Sequence, residues 1–145
     1  MSPKWVLLVL EDGMVPEESL CHTIGLARRL GCSVSVLMLM EENVYGTPAG
    51  YEQGCKDLEQ ALDRIRSEGL DVRHSLEHGE KASGLLKHIA LIPSLSALVW
   101  GGKEDIASTR KKRKGDHWFE RVRPAVPCPI VSPRVRKTWP QGLGR

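Results

Sequence analysis

Trp5-Val6-Leu7-Leu8-Val9-Leu10, closed by Glu11-Asp12-Gly13, is the stretch whose reading decides the fold. An unbroken apolar run of strand length, with no alternation, predicts a strand covered on both faces, which is the habit of parallel sheets. The Asp-Gly pair predicts a turn at the strand's carboxyl end.

Outward from that strand, Pro16 to Leu30 reads as a helix. Leu20, Ile24, Ala27 and Leu30 recur at helical spacing, Glu17 and Glu18 stand in the first turn, Arg28 and Arg29 in the last, and Gly31 follows. Val34 to Met40 is a second short apolar run, so the chain opens strand, helix, strand. Gly and Pro place residues 43 to 50 in a loop. From Tyr51 to Glu68, Cys55, Leu58, Leu62 and Ile65 form an apolar stripe opposite charged residues, predicting an amphipathic helix. Leu70 to Leu76 alternates, with Val72, His74 and Leu76 on one side, as an edge strand does. A third helix follows Gly79-Glu80, with Leu85, Leu86, Ile89 and Ala90 inward and Pro93 as its stop. Leu95 to Trp100 predicts a fourth strand that delivers Gly101-Gly102. The basic run Arg110 to Lys114 and Gly115 come next, then a short helix from Asp116 to about Val122 with Asp116 as its N-cap. Cys128-Pro129-Ile130-Val131 is a last strand.

Strands alternating with helices predict an α/β domain: a single open parallel sheet with helices on both faces. Ligands in such sheets sit beyond the carboxyl ends of the strands, where the strand order reverses. Those ends carry Asp12-Gly13, Leu39-Met40 and Gly101-Gly102. Glycines just past a buried strand leave backbone N–H groups free for a phosphate. Asp12 has two readings, a ribose or metal ligand and a plain turn residue.

At 145 residues the chain suits one domain with a sizeable core, and 27% charged against 41% hydrophobic residues is ordinary for a globular protein. We assign 4–133 to that domain and 134–145 to a mobile basic tail. A net charge of +3 demands neither a nucleic-acid nor a membrane partner. Cys21, Cys32, Cys55 and Cys128 lie far apart with no C-x-x-C pair, which predicts a reduced, cytoplasmic protein. The apolar runs are too short to cross a bilayer. No Ser-His-Asp, Cys-His or zinc-ligand spacing stands out, so no catalytic residue and no metal ligand is assigned. His74 and His78 share a strand face but lack a third ligand. Cys128, in an apolar strand, reads as a small buried hydrophobe.

The order and spacing of several short pieces resemble the universal stress protein family. They are Val9-Leu10-Glu11-Asp12-Gly13, Ala27-Arg28-Arg29-Leu30-Gly31, Val36-Leu37-Met38-Leu39, Gly79, Leu98-Val99-Trp100-Gly101 and Pro127-Cys128-Pro129-Ile130-Val131. The resemblance spans roughly Lys4 to Pro133. It implies a five-stranded Rossmann-like sheet of the adenine nucleotide alpha hydrolase-like kind, order 3-2-1-4-5, and a cytoplasmic homodimer pairing through the last strand, Cys128 to Val131. In one branch of the family it also implies ATP, with Asp12 and Leu39 near the adenosine and a G-x2-G-x9-G-[ST] loop on the phosphates.

That loop departs from the family pattern. Started at Gly101, its second and third glycines fall on Glu104 and Lys114. Started at Gly102, Gly115 is recovered, but Asp105 takes the second position and Asp116 the place of the phosphate-binding hydroxyl. Two like charges about 4 Å apart repel by roughly 4 kcal/mol at an effective dielectric near 20. The expectation is therefore a non-enzymatic regulatory or stress-response domain whose nucleotide crevice, framed by Asp12, Leu39, Gly101, Gly102, Gly115 and Asp116, binds ATP with magnesium weakly or not at all, and no other cofactor. One alternative is an ATP-binding switch in which residues 110–114 hold the phosphates. Another is a module docking an acidic partner or nucleic acid through that basic loop, although no aromatic residue interleaves with it.

Overall fold

The computed structural model describes residues 4–40, 48–102 and 117–133. Its elements run β1 (Trp5–Glu11), α1 (Glu17–Leu30), β2 (Ser33–Met40), α2 (Pro48–Ser67), β3 (Val72–His78), α3 (Lys81–Ala90), β4 (Leu95–Gly101), α4 (Trp118–Val122) and β5 (Ile130–Val131). All pairings are parallel and the strand order is β3-β2-β1-β4-β5. The apolar run of β1 is central because every one of its residues is buried, with β2 on one side and β4 on the other. The five-stranded Rossmann-like sheet in the order 3-2-1-4-5 is thus present.

Strand parity sorts the core into two layers. Leu8, Leu10, Val36 and Met38 face Leu20, Ile24 and Ala27 of α1 and Leu58, Leu62 and Ile65 of α2. On the other face Leu7, Val9, Leu37 and Leu39 meet Ala82 and Leu85 of α3 and Phe119 and Val122 of α4. Helices therefore cover both faces. At the edge, β3 is only partly buried, and Val72 and Leu76 pack against the α1/α2 layer.

Several boundaries and faces differ from the sequence reading. Pro48 to Gly50, expected in a loop, open α2, where Pro suits a first helical turn whose N–H groups have no partner within the helix. The third strand runs Val72–His78 rather than Leu70 to Leu76. Leu30 is 48% exposed and Leu86 40%, and Ala90 is exposed as well. Each lies about a turn's fraction off the inward line, which on α3 is Lys81, Ala82, Leu85 and Ile89. His88 also turns inward, its Nε2 3.0 Å from the Ser35 hydroxyl, and burial holds its pKa below the usual histidine value despite the opposing charge of Glu77. The last helix starts at Trp118, and its cap is His117, whose Nδ1 accepts the Phe119 N–H at 3.0 Å. The N-cap role expected of Asp116 is therefore held by the next residue. Gly115, Asp116, the basic run 110–114 and the tail 134–145 lie outside the described residues.

Candidate functional site

The carboxyl ends of the central strands meet as the sequence predicts. Glu11 is in register with Leu39 and Leu10 with Gly101, and the strand order reverses between β1 and β4, which sets the crevice there. Asp12 adopts φ 54°, a left-handed conformation that Asp tolerates better than most residues. Its N–H donates to the Leu39 carbonyl at 2.9 Å, and the Met14 N–H donates to the Glu11 carbonyl at 3.0 Å. The tight turn aims the Asp12 side chain across the strand ends.

What meets it there is a lysine. Lys81, the first residue of α3, reaches Asp12 Oδ2 at 2.8 Å and Glu11 Oε2 at 2.9 Å, and Trp118 Nε1 donates to the same Glu11 Oε2 at 2.9 Å. Lys81 is 6% exposed, Glu11 2% and Asp12 8%; lysine is almost never buried to this degree unless paired. A cation at a helix N-terminus opposes the helix dipole, so the carboxylates, not the helix, dictate this placement. Burial works against the ammonium, yet hydrogen bonds and charge from Asp12 and Glu11 outweigh it and hold the Lys81 pKa above its ordinary value.

An aromatic cluster walls the crevice. The Trp100 ring lies 4.8 Å from Phe119, 5.3 Å from His117 and 5.7 Å from Trp118, centroid to centroid. Gly102 sits directly under the Trp100 ring and beside the Glu11 carboxylate, and a Cβ there would overlap both. At Gly101 a Cβ would stand 2.8 Å from Leu10 Cδ2 and 3.2 Å from Ser19 Cβ. Both glycines are thus spent on close packing. Leu39 is buried too, its Cδ2 against the backbone of α3 at Gly84.

Of the expected site residues, the structure brings Asp12, Leu39, Gly101 and Gly102 together, while Gly115 and Asp116 fall outside the described residues. His74 and His78 join no group: among the described residues no cluster of three His, Cys, Asp or Glu is placed to hold a metal ion. Cys128 is partly buried, and burial raises its thiol pKa. The sequence reading passed over Glu11, Lys81 and Trp118. A signal for Lys81 existed, since it stands four residues before Leu85, on the inward line of α3.

No family model and no curated protein matches the chain. Solved structures do: a universal stress protein of Archaeoglobus fulgidus superposes with a TM-score of 0.64 at 18% identity, over 92% of this chain and 100% of its own. This chain has the universal stress protein fold. A universal stress protein of the same organism in complex with dAMP gives 0.60 at 16% identity, over 89% of this chain and 98% of its own. A universal stress protein family protein of Arabidopsis thaliana with AMP bound gives 0.56 at 14%, over 94% and 95%. Among the described residues no helix is long and apolar enough to cross a membrane.

Proposed function

We propose that this chain is a non-enzymatic regulatory domain of the universal stress protein type, in which the crevice at the switch point is occupied by the protein's own charges and ATP binding is weak or absent. The observation that carries the reading is Lys81 Nζ bonded to both Glu11 and Asp12 inside the crevice. A ligand seeking Asp12 must first displace a buried ammonium, and removing one partner of such a pair costs several kcal/mol. Solved proteins of the same fold bind dAMP and AMP, so an open form of this crevice has the right place in the fold for an adenine nucleotide. The Gly101-Gly102 pair supports the reading in the same way, because Leu10 and Ser19 pack against Gly101 and Trp100 and Glu11 against Gly102.

We place the domain in the cytoplasm, in keeping with four unpaired cysteines, and infer a homodimer formed through the sheet edge at Cys128 to Val131, where β5 is a two-residue strand. The ATP-switch and docking alternatives rest on residues 110–114, outside the described residues. The test is the melting temperature with millimolar ATP and magnesium. The reading expects no movement, and a rise of several degrees overturns it, since a ligand that binds only the folded state must stabilise it.

A further inference from the structure

At the amino ends of β1, β2 and β3, the end of the sheet away from the Lys81 crevice, lies a groove of about 450 Å³, a volume within the range of small-molecule sites. Trp5 and Ser33, the first residues of β1 and β2 and partners in register, form its floor with Leu70. Trp5 is 6% exposed, and Ser33 and Leu70 are half-buried. The rim carries charge: Arg66 from the last turn of α2, Asp71 just before β3, and Arg73, all exposed. The Arg73 guanidinium lies over the Trp5 ring, 4.9 Å from its centroid. Stacking on a buried indole orders the planar fork and leaves its edge N–H groups turned outward for a carboxylate. Arg73 and Asp71 are separated by one residue, yet among the described residues no ion pair engages either of them. Arg66 gives Nη1 to Asp63 at 3.1 Å, which is one corner of a guanidinium with five N–H donors.

We propose that this groove is a binding site for a free acidic α-amino acid. Its wall offers two guanidinium groups and one carboxylate, and such a guest offers the complement, two carboxylates and one ammonium. Arg73 takes the α-carboxylate fork to fork, the geometry that makes Arg–carboxylate pairs strong and directional. Arg66 meets the side-chain carboxylate, Asp71 the ammonium, and the Ser33 hydroxyl supplies a further donor from the floor. The lining selects against other classes. A simple anion faces Asp71 with nothing to offset the repulsion, a cation faces two arginines, and an apolar guest strips water from charges it cannot pair. The groove lies at the opposite end of the strands from the nucleotide crevice, so the proposal does not rest on whether a nucleotide binds there.

The probe is L-glutamate, titrated into the full chain in a calorimeter, with glutarate, which lacks the ammonium, and L-glutamine, which lacks the second charged carboxylate, as comparison ligands. Saturable binding of glutamate is expected, with glutarate and glutamine each weaker by about tenfold or more, the loss of one hydrogen bond between charged groups. Arg73→Gln is expected to weaken glutamate by a similar factor, and Arg73→Lys, which keeps the charge and loses the fork, to fall between. Asp71→Asn is expected to erase the preference for glutamate over glutarate. Both positions are exposed, where substitutions leave stability nearly unchanged, and an unaltered melting temperature verifies that each variant is folded. Any of four results overturns the proposal. They are no saturable binding at any soluble glutamate concentration, binding that Arg73→Gln leaves unchanged, a preference for glutamate over glutarate that is missing from the parent chain or survives in Asp71→Asn, and displacement of glutamate by an equal concentration of inorganic phosphate, the mark of a general anion patch.

Discussion

The Lys81 crevice and the α2 cleft both lie towards the carboxyl ends of β1 and β2, and they are finished in opposite ways. At the first, charges have been buried and then satisfied within the chain: one ammonium, two carboxylates and an indole N–H. At the second, Met38 and Met40 of β2, Leu58 of α2 and Leu76 of β3 wall, among the described residues, an apolar cleft of about 160 Å³. The difference follows from what each kind of surface costs. A buried charge without a partner costs several kcal/mol, so the charged site must be closed by something. An apolar gap forfeits only dispersion contacts and can stay empty.

The most severe way to break this contrast is Lys81→Met. It leaves Glu11 and Asp12 buried around an apolar side chain, and stability measured by urea unfolding is expected to fall by about 3–5 kcal/mol. Adding Glu11→Gln and Asp12→Asn to the same chain should restore a large part of the loss. A neutral single variant would show that the three groups are not coupled.

A milder probe is the same substitution at one glycine of each region. Gly102→Ala forces a methyl against the Trp100 ring and Glu11 and is expected to cost about 1–3 kcal/mol. Gly54→Ala replaces a glycine inside helix α2 at the cleft wall and is expected to gain about 0.5–1 kcal/mol from helix propensity. Urea midpoints should therefore move in opposite directions. Movement of both in one direction would mean that the two regions do not differ in packing as described.

The finest test is pH, because α3 carries one titratable group shifted up and another shifted down. The raised pKa of Lys81 stabilises the fold fully below the unfolded value of 10.5 and loses that contribution as pH rises through the folded value. The lowered pKa of His88 works the other way. Stability is intact above 6.5 and declines as pH falls from there through the folded value, because the unfolded chain takes up the proton first. His88→Gln should flatten the acid limb and leave the alkaline limb alone, which a urea series at several pH values reads directly.

The fold was legible because its signals are local and strong. The continuous apolar run of β1 can only be a doubly covered strand, and the stripe Cys55, Leu58, Leu62, Ile65 has only one helical face to occupy. The inward line of α3 was misread because Leu86 and Ala90 are apolar and Lys81 is not, while burial at that helix end is set by a tertiary partner seventy residues earlier in the chain. Asp12, Leu39, Gly101 and Gly102 were identifiable as neighbours from topology alone. That the crevice they frame is filled was not, since no periodicity announces that a lysine on one element and an indole on another converge on Glu11. The cap moved from Asp116 to His117 for a similar reason: either side chain can accept a helix N–H, and the choice depends on how the Trp100 cluster seats His117.

Trp118 ties its indole nitrogen to the Glu11 carboxylate, and Trp100 lies 5.7 Å away, whereas Trp5 sits at the opposite end of the sheet beneath the Arg73 guanidinium, 4.9 Å from it. The molecule therefore has a built-in optical gauge. In a Trp139→Phe chain, which removes the fourth tryptophan, anything that displaces Lys81 changes the field around Trp118 and shifts its emission against the background of Trp5, so the state of the crevice can be followed by intrinsic fluorescence with no label attached.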